Sequence, residues 1–294
     1  MLKIIEKTKI WFAISIIIIV AGFIGIAVNG LNFGLDFTGG TVVKIDMGKD
    51  FNKTEADEIV LKYAKDAVTN KAIPEGKTTP EYEIKSNKLS GEEVASMYND
   101  LKTKYTLKEG SLLDQNTVGG TIGNELKQKA SWALALATVA MLIYVGIRFE
   151  FKFGFAAIIA LLHDVLITLG VYALYKVPVD SAFIAAMLTV IGYSINDTIV
   201  VFDRIRENQK YFRGKDVTEL ANASITQTMT RSINTVLTVL ITITAVYIFV
   251  PSVRNFAFPL IIGIASGCYS SIFIASPIWV LLKKRSSKAK RAIA

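Results

Sequence analysis

An aspartate occupies a position in this chain where an acidic side chain is unexpected. Asp197 lies inside an apolar run, Ser181 to Phe202, that is long enough to span a lipid bilayer. A second aspartate, Asp164, interrupts the preceding apolar run, and Arg231 stands at the head of the next one. Because a charged group is costly in hydrocarbon, ionisable residues in spanning helices indicate functional sites. Two acids and one base in such runs predict proton- or ion-linked chemistry.

Polar residues surround Asp197 on its own helix. Tyr193 and Ser194 precede it by four and three residues and therefore share its helical face. Asn196 and Thr198 are its immediate neighbours. This pattern predicts a hydrated interface between helices, in which the four residues support the aspartate. The alternative is a structural carboxylate that nearby hydroxyl groups satisfy.

Arg231 is the candidate partner of Asp197. The residues before it, 222–230, are polar but uncharged, so a helix that begins near Asn222 would place Arg231 more than two turns inside. The alternative is an anchor whose long side chain reaches the membrane interface. Gly192 would let another helix approach closely. We expect Asp197 to alternate between a neutral protonated form and a form paired with Arg231.

Asp164 is the second acidic candidate for a proton or ion relay. It lies near the middle of its run, roughly 15 Å from either end at the rise of an α-helix. His163 precedes it, but adjacent side chains on a helix point about 100° apart, so the pair is not expected to be a ready-made dyad. Proton transfer and a hydrogen-bonding role in helix packing both remain open for Asp164.

Metal and cofactor chemistry has little support in the sequence. The chain has one histidine, His163, and one cysteine, Cys268. An internal disulfide and a zinc site made of cysteine and histidine ligands are therefore excluded. We predict no metal, no cofactor and no residue that catalyses bond breaking.

The composition is that of a protein with several membrane spans. Hydrophobic residues make up 52% of the chain, the net charge is +8 and the mean hydropathy is +0.43. Sixteen lysines and arginines fall on the side of the two termini, whereas the short loops on the opposite side hold only two, Lys176 and Arg254. The positive-inside rule therefore predicts cytoplasmic termini. The first run is longer than the apolar part of a signal peptide and is expected to remain as a helix. Six runs have spanning length, at about 10–29, 130–147, 153–175, 180–202, 230–250 and 256–282.

These runs divide the chain into four parts. Residues 1–29 are predicted to form the cytoplasmic amino end and the first span, and residues 30–128 an extracytoplasmic domain. Residues 129–282 would form the other five spans, and residues 283–294 a basic cytoplasmic tail. Residues 30–129 carry 14 basic and 16 acidic side chains, so the positive excess belongs to the cytoplasmic loops and the tail. There it suits anionic lipid head groups, and nucleic acid is not an expected partner.

The outer segment alternates strand and helix patterns. Asn52 with Glu55, and Ser90 with Glu93, have the spacing of helix N-terminal caps. Together these patterns predict a small α+β domain of ferredoxin-like type. The strands are predicted at 41–45, 81–85 and about 111–118, and the helices at 52–67 and 90–104.

Two glycine-rich segments border the outer domain. GLDFTGGT contains Asp36, Gly39 and Gly40; it lacks the lysine of a cation-pump phosphorylation loop and is predicted to be a tight turn that starts the first strand. VGGTIGNELK contains Gly120 and Gly123. It lacks the GK[ST] ending of a phosphate-binding loop and is predicted to be a hinge before the second span.

Four segments together resemble the SecD/SecF family of protein-export membrane proteins. They are GLDFTGGT, LLHDVLITLG, IGYSINDTIVVFDRIRENQ and SITQTMTRSINT, and the resemblance to the SecF part of that family covers nearly the whole chain. It implies that Asp197 and Arg231 match the family's membrane aspartate and arginine, and that a partner supplies a further carboxylate. One departure is VGGTIG, where family members often carry a proline after the first glycine.

The resemblance also implies partners and a location. The partners would be a SecD-like subunit, a protein-conducting translocon of SecYEG type, unfolded secretory polypeptide and membrane lipids. The location would be the cytoplasmic membrane of a bacterium or archaeon, where the protein would use the proton-motive force for export. Carboxylates serve H⁺ and Na⁺ alike, so the coupling ion stays open. Two alternatives are a small-molecule exporter of the related transporter superfamily and an intramembrane aspartyl protease that uses Asp164 and Asp197.

Overall fold

The computed structural model describes residues 2–74, 78–148, 150–212, 216–250 and 253–293, with side chains described as far as residue 286. The chain divides into two compact units. One consists of residues 33–131 and is called the outer unit below. The other consists of residues 1–32 and 132–294 and is called the helical unit.

The elements alternate between helix and strand in the outer unit and are all helical elsewhere. In chain order they are α1 (Thr8–Asn29), α2 (Leu35–Thr38), β1 (Gly40–Asp46), α3 (Lys53–Tyr63), β2 (Val68–Ala72), β3 (Glu81–Ser86), α4 (Gly91–Tyr105), β4 (Leu112–Val118), α5 (Gly120–Arg148), α6 (Phe151–Tyr175), α7 (Ser181–Asn208), α8 (Val217–Phe249), α9 (Arg254–Ser270) and α10 (Ser276–Ile293). A 3₁₀ turn, Ile5–Lys7, precedes α1, and a π-helical turn, Ser271–Ala275, joins α9 to α10.

The outer unit is an antiparallel sheet with the strand order β2-β3-β1-β4. Together with α3 and α4, this is the split βαβ arrangement of the ferredoxin-like fold, so the predicted fold class is confirmed. Side chains alternate along β1, where Val43 and Ile45 are fully buried. They pack in one core with Ile84 of β3, Val60 of α3 and Met97 of α4.

Both predicted helix caps of the outer unit are present. Asn52 Oδ1 accepts a hydrogen bond from the Thr54 backbone N–H at 3.1 Å, and its amide donates to Glu55. Ser90 and Glu93 form a reciprocal capping box at the start of α4. The helix predicted over 52–67 ends earlier, at Tyr63, because the chain then turns into a strand, β2, that the sequence patterns did not reveal.

Glycines allow close backbone contacts at the start of β1. Gly39 and Gly40 have φ values of 75° and 138°, which side chains rarely tolerate. A Cβ atom added to Gly39 would lie 2.8 Å from Gly120 Cα, and one added to Gly123 would lie 3.0 Å from Gly39 N. Gly39 and Gly40 thus have the positive φ values expected of the predicted tight turn. Asp36 lies just before them, in the short helix α2. Gly120 and Gly123, which were predicted to lie in a hinge segment, instead form the first turn of α5.

Among the residues that the structure describes, six helices are long and apolar enough to cross a membrane. The last of them combines α9, the π-helical turn and α10. Aromatic rings pack in the core of the helical unit, where the Phe153 ring is stacked on Trp279 with a centroid distance of 4.9 Å and lies tilted against Phe202 at 4.8 Å. The fold is therefore that of a polytopic α-helical membrane protein with one small α+β domain.

Candidate functional site

Asp164 is fully buried on α6, and hydrogen-bond donors surround its carboxylate. Ser194 of α7 and Ser270 of α9 donate to Oδ2 at 2.6 and 2.7 Å. Ser266 of α9 donates to Oδ1 at 2.6 Å, and His163 Nδ1 lies 3.0 Å from the same oxygen. A carboxylate accepts about four hydrogen bonds, so these donors fill its capacity. Three helices are thereby joined at one side chain.

His163 and Asp164 therefore do form a pair, and the expectation that they do not was wrong. The backbone directions of adjacent helical residues diverge, but rotation about the side-chain bonds brings the tips of both side chains together. His163 is itself buried, and its other nitrogen, Nε2, lies 3.0 Å from Ser15 Oγ of α1. The pair thus extends the contact of α6 to a fourth helix.

The serines of α9 that contact Asp164 were not among the site residues predicted from the sequence. Ser266 and Ser270 are four residues apart, so they lie on one helical face. The segment SGCYSS interrupts the last apolar run with small polar residues, and this was the available signal. The close packing of α9 against α7 lets both serines reach Asp164. A Cβ atom added to Gly263 would lie 2.4 Å from Val190 Cγ2 of α7. Helix α9 therefore lies against α7 at a distance that only glycine permits.

Asp197 has a different environment from Asp164. Its side chain is 5% exposed, and its Oδ2 atom is buried without a hydrogen-bond partner among the described residues. The groups of α8 that act on its carboxylate are Ser232 and Arg231. The Ser232 hydroxyl is also buried without a hydrogen bond in the described part of the chain. A buried polar atom without a partner is costly, so the site favours a proton or a cation at this oxygen.

Arg231 lies well inside α8, because the helix begins at Val217 rather than near residue 230. Its side chain is exposed and forms no salt bridge with Asp197 in the described structure, although its charge acts on that carboxylate. It lines a cavity of about 270 Å³ with Asp203, Glu207 and Gln227, among others. The two members of the predicted pair are therefore near one another but not joined.

The four residues predicted to support Asp197 point in different directions. Ser194 donates its hydrogen bond to Asp164 instead, and the hydroxyl groups of Thr198 and Ser271 are hydrogen bonded to each other at 2.7 Å. The Tyr193 hydroxyl donates to the Thr235 carbonyl of α8 at 3.4 Å, and Asn196 is exposed. The prediction of one polar stripe around Asp197 was thus too simple. Because a helix turns by about 100° per residue, neighbours in sequence face different helices.

Gly192 does not have the role that its sequence position suggested. A Cβ atom added there would meet no described atom within 4 Å. The close approach of a second helix to α7 occurs at α9, through Gly263 and Gly267.

The polar run that precedes Arg231 holds the amino end of the chain. Asn222 accepts hydrogen bonds from the backbone N–H groups of Ile4 and Ile5, both at 3.1 Å. Its amide donates to the Glu6 carboxylate at 2.9 Å. These residues fix α8 against the start of the chain, a function that was not predicted.

In the described residues, no group of three or more histidine, cysteine, aspartate or glutamate side chains is arranged to hold a metal ion.

Comparisons with known proteins agree with this architecture. The family model "Protein export membrane protein SecD/SecF, C-terminal" matches residues 99–285, and the model of the "SecD/SecF GG Motif" matches residues 24–50. The second match includes the Gly39–Gly40 turn.

Related chains match over almost the full length. The protein translocase subunit SecF of Sebaldella termitidis is 37% identical over 99% of this chain and 94% of its own. The protein translocase subunit SecDF of Bacillus subtilis is 38% identical over 98% of this chain, which covers 39% of that longer protein. A crystal structure of SecDF from Thermus thermophilus, described as a translocon-associated membrane protein, has a TM-score of 0.84 and 34% identity. It covers 96% of this chain, which in turn covers 39% of the SecDF chain. With one family model matching more than half of its residues, this chain belongs to the SecD/SecF family of protein-export membrane proteins.

Proposed function

We propose that this chain is an auxiliary subunit of the Sec protein-export machinery, which acts with a SecD-like subunit. Relatives of almost equal length are called protein translocase subunit SecF, and the longer SecDF relatives contain this chain as about two-fifths of their length. The remaining part of those longer chains supports a SecD-like partner for the present one. The partners beyond that subunit are a SecYEG-type translocon, unfolded secretory polypeptide and the surrounding lipids.

Asp197 and Arg231 are proposed to couple an ion gradient to a change in helix packing. The observation that carries this proposal is the buried Oδ2 atom of Asp197, which lacks a hydrogen-bond partner among the described residues although Arg231 lies near. An ionised and unpaired carboxylate at this depth is costly. Binding a proton removes that charge, while an ion pair with Arg231 compensates it. The two states favour different positions of α7 relative to α8.

The driving force suffices for such a switch. One elementary charge that crosses the membrane gains about 2.3 kcal/mol per 100 mV. This is enough to bias an equilibrium between two packing arrangements that differ by a few kcal/mol. Both H⁺ and Na⁺ fit a lone carboxylate, so the proposal covers either gradient.

Asp164 is proposed as a second acidic group of the relay. Ser194 donates to Asp164 and lies one helical turn before Asp197 on α7. A change in the charge or position of Asp197 is therefore transmitted to Asp164 along a single turn of helix. The two carboxylates share no hydrogen bond, in contrast to the shared proton of an aspartyl protease, and we assign the chain no bond-breaking activity.

The topology follows the charge distribution. We propose that both termini are cytoplasmic and that residues 30–128 are extracytoplasmic, where they meet the exported polypeptide. Residues 1–29 and 129–282 then form the spanning part, and residues 283–294 a basic tail on anionic lipid head groups. No role in nucleic-acid binding is proposed.

Export measurements with Asp197→Asn test this function. The chain is reconstituted with its SecD-like partner and the translocon in vesicles that carry an imposed proton or sodium gradient. Because the amide cannot change its charge, we expect the gradient-dependent part of export to fall at least tenfold, while ATP-driven export without a gradient remains. Arg231→Lys tests the partner in the same assay.

The matched control is Glu219→Gln, which removes an exposed acid from the first turn of α8. It is expected to leave gradient-dependent export unchanged. Wild-type gradient dependence in Asp197→Asn would refute the assigned role of this residue.

A further inference from the structure

The start of the first span is capped by a side chain of another helix. Among the described residues, neither the 3₁₀ turn Ile5–Lys7 nor α1 has a side-chain hydrogen bond at its own N-cap position, although the first N–H groups of a helix need an acceptor. Asn222 of α8 supplies this acceptor, because its Oδ1 atom lies 3.1 Å from the backbone nitrogens of both Ile4 and Ile5. Asparagine is among the residues best suited to capping. Helix α8 thus completes the start of the chain.

This cap is buried and held at several points. Asn222 is 1% exposed, and its amide nitrogen lies 3.0 and 2.9 Å from the two oxygens of the Glu6 carboxylate. The Leu2 N–H donates to the Thr226 hydroxyl at 3.0 Å, one helical turn after Asn222. Ile4 is buried in the same apolar core as residues of α8. Separation of the two segments would leave buried N–H groups without an acceptor, which is costly, so the start of the chain follows α8.

The helix that supplies the cap also carries Arg231. Nine residues separate Asn222 from Arg231, which is about 14 Å at the rise of an α-helix. Helix α8 is continuous from Val217 to Phe249 and contains neither glycine nor proline, two residues at which helices kink. A displacement of α8 at Arg231 therefore also displaces the cap of the first span.

From these observations we propose that Asn222 is a positioning residue that transmits the ion-linked movement of α8 to α1. The proposal rests on the function proposed above, in which the charge state of Asp197 sets the position of α7 relative to α8. The second half of α1 is held by α6, where a Cβ atom added to Gly22 would lie 2.7 Å from Gly170 Cα. A movement of the capped end therefore changes the tilt of α1 about this contact.

The tilt of α1 has a direct consequence for the chain that follows it. Helix α1 ends at Asn29, and the outer unit begins at Phe33. The cap thus connects the ion site on α7 and α8 to the point where the chain enters the outer unit.

Distances between spin labels test this transmission in the chain bound to its SecD-like partner in lipid vesicles. In a Cys268→Ala background, labels are attached two at a time to exposed positions of α1, α7 and α8, through Lys9→Cys, Thr189→Cys and Thr230→Cys. Asp197→Asn is compared with the chain that keeps Asp197, at about pH 9, where an ordinary carboxyl group is ionised. We expect the α7–α8 and α1–α7 distances to differ between the two chains and the α1–α8 distance to stay the same.

Two other outcomes would overturn the proposal, and they are distinguishable. If the α7–α8 distance changes and the α1–α8 distance changes as well, α1 does not follow α8 and Asn222 transmits nothing. If none of the distances changes, the switch at Asp197 is itself absent, and the proposed function fails together with this inference.

Substitutions at the cap test the role of Asn222 in the export assay. Asn222→Leu removes the acceptor, and we expect the gradient-dependent part of export to fall at least about fivefold, the equilibrium factor that corresponds to one helix cap. Export driven by ATP alone should remain. Wild-type gradient dependence in Asn222→Leu would overturn the proposal.

The matched control exchanges the donor and the acceptor of the cap. In the double variant Asn222→Asp with Glu6→Gln, the new carboxylate still accepts from both N–H groups, and the glutamine amide donates to it. This variant should export as the wild type does, because the cap is kept. An equal loss in the double variant and in Asn222→Leu would show that the cap is not what couples α8 to α1. If Asn222→Leu fails to fold, the label distances in the chain that keeps Asn222 still decide the question.

Discussion

Two buried aspartates of one protein differ in how their oxygens are satisfied. Asp164 accepts hydrogen bonds from three serines and lies beside His163, whereas Asp197 keeps one buried oxygen without a hydrogen-bond partner in the part of the chain that the structure describes. A carboxylate whose hydrogen bonds are all made changes its charge or position only together with the groups that donate to it, because a change would otherwise break several bonds at once. A carboxylate with an unsatisfied buried oxygen is stabilised most when it binds a proton or moves next to a cation. The same residue type is thus suited to following the packing of the helices around it at one position and to switching its charge at the other.

Two aspartates of the outer unit predict how this unit responds to acid. For Asp57, burial raises the pKa, but hydrogen bonds from Lys53, Thr69 and Tyr82 together outweigh burial and hold its pKa below the ordinary value. Asp66 is similar: burial raises its pKa, but hydrogen bonds from the Asn87 backbone and Ser86 outweigh burial and hold the pKa below its ordinary value. A lowered pKa in the folded state stabilises the fold above the unfolded value of about 4, and this stabilisation is lost as the pH falls through the folded value.

We therefore expect the outer unit to lose stability as the pH falls below about 4, the unfolded value, and on through the lower pKa values that these carboxylates have in the folded state. Amide hydrogen exchange of β1 and β3 in the full chain, corrected for the intrinsic effect of pH, measures this loss. Asp57→Asn should weaken the pH dependence, whereas Asp114→Asn, at an exposed position of β4, should preserve it. Equal pH dependence in wild type and Asp57→Asn would contradict the assignment.

The contact between α7 and α9 positions the serines of α9 at Asp164. It depends on Gly263, where a Cβ atom would lie 2.4 Å from Val190 Cγ2. We expect Gly263→Ala to destabilise the helical unit by about 1–3 kcal/mol, the usual cost of an added methyl group in a close-packed core. Unfolding in mixed micelles of increasing SDS content measures this change.

Removal of the opposing methyl groups gives a sharp control. Val190→Ala, combined with Gly263→Ala, should recover part of the lost stability, because the clash is relieved even though burial is reduced. Gly192→Ala, on the same helix as Val190, meets no described atom within 4 Å and should be neutral or slightly stabilising, as expected for alanine in a helix. A Gly263→Ala variant as stable as Gly192→Ala would show that the close contact of α7 with α9 is not required.

Helices, strands and caps were predictable from the sequence where the pattern that indicates them lies within one short segment. The spanning runs, three of the four strands of the outer unit and the caps at Asn52 and Ser90 follow from periodicity and spacing within one segment. Strand β2, with its short and polar sequence, gave no such signal. The surroundings of Asp164 were not predictable either, because they depend on which faces of α1, α6, α7 and α9 meet. That choice is made by glycines and serines far apart in the chain.

At the scale of the whole molecule, charge asymmetry is the property that relates the fold to the membrane. Sixteen lysines and arginines lie in the segments assigned to the cytoplasm, against Lys176 and Arg254 in the opposite short loops. Positive residues near the ends of spanning helices are retained on the cytoplasmic side. The proposed use of an ion gradient through Asp197 depends on this orientation, so the other mechanistic predictions depend on the topology.

Cysteine labelling in spheroplasts tests the topology. In a Cys268→Ala background, Ser96→Cys places a thiol on an exposed position of α4 in the outer unit, and Glu219→Cys places one at the start of α8. A maleimide that does not cross membranes should label the first variant in intact spheroplasts and the second only after permeabilisation. The reverse pattern would place the outer unit in the cytoplasm and refute the proposed contact with exported polypeptide. It would leave the hydrogen bonds of Asp164 untouched, because those depend on helix packing and not on orientation.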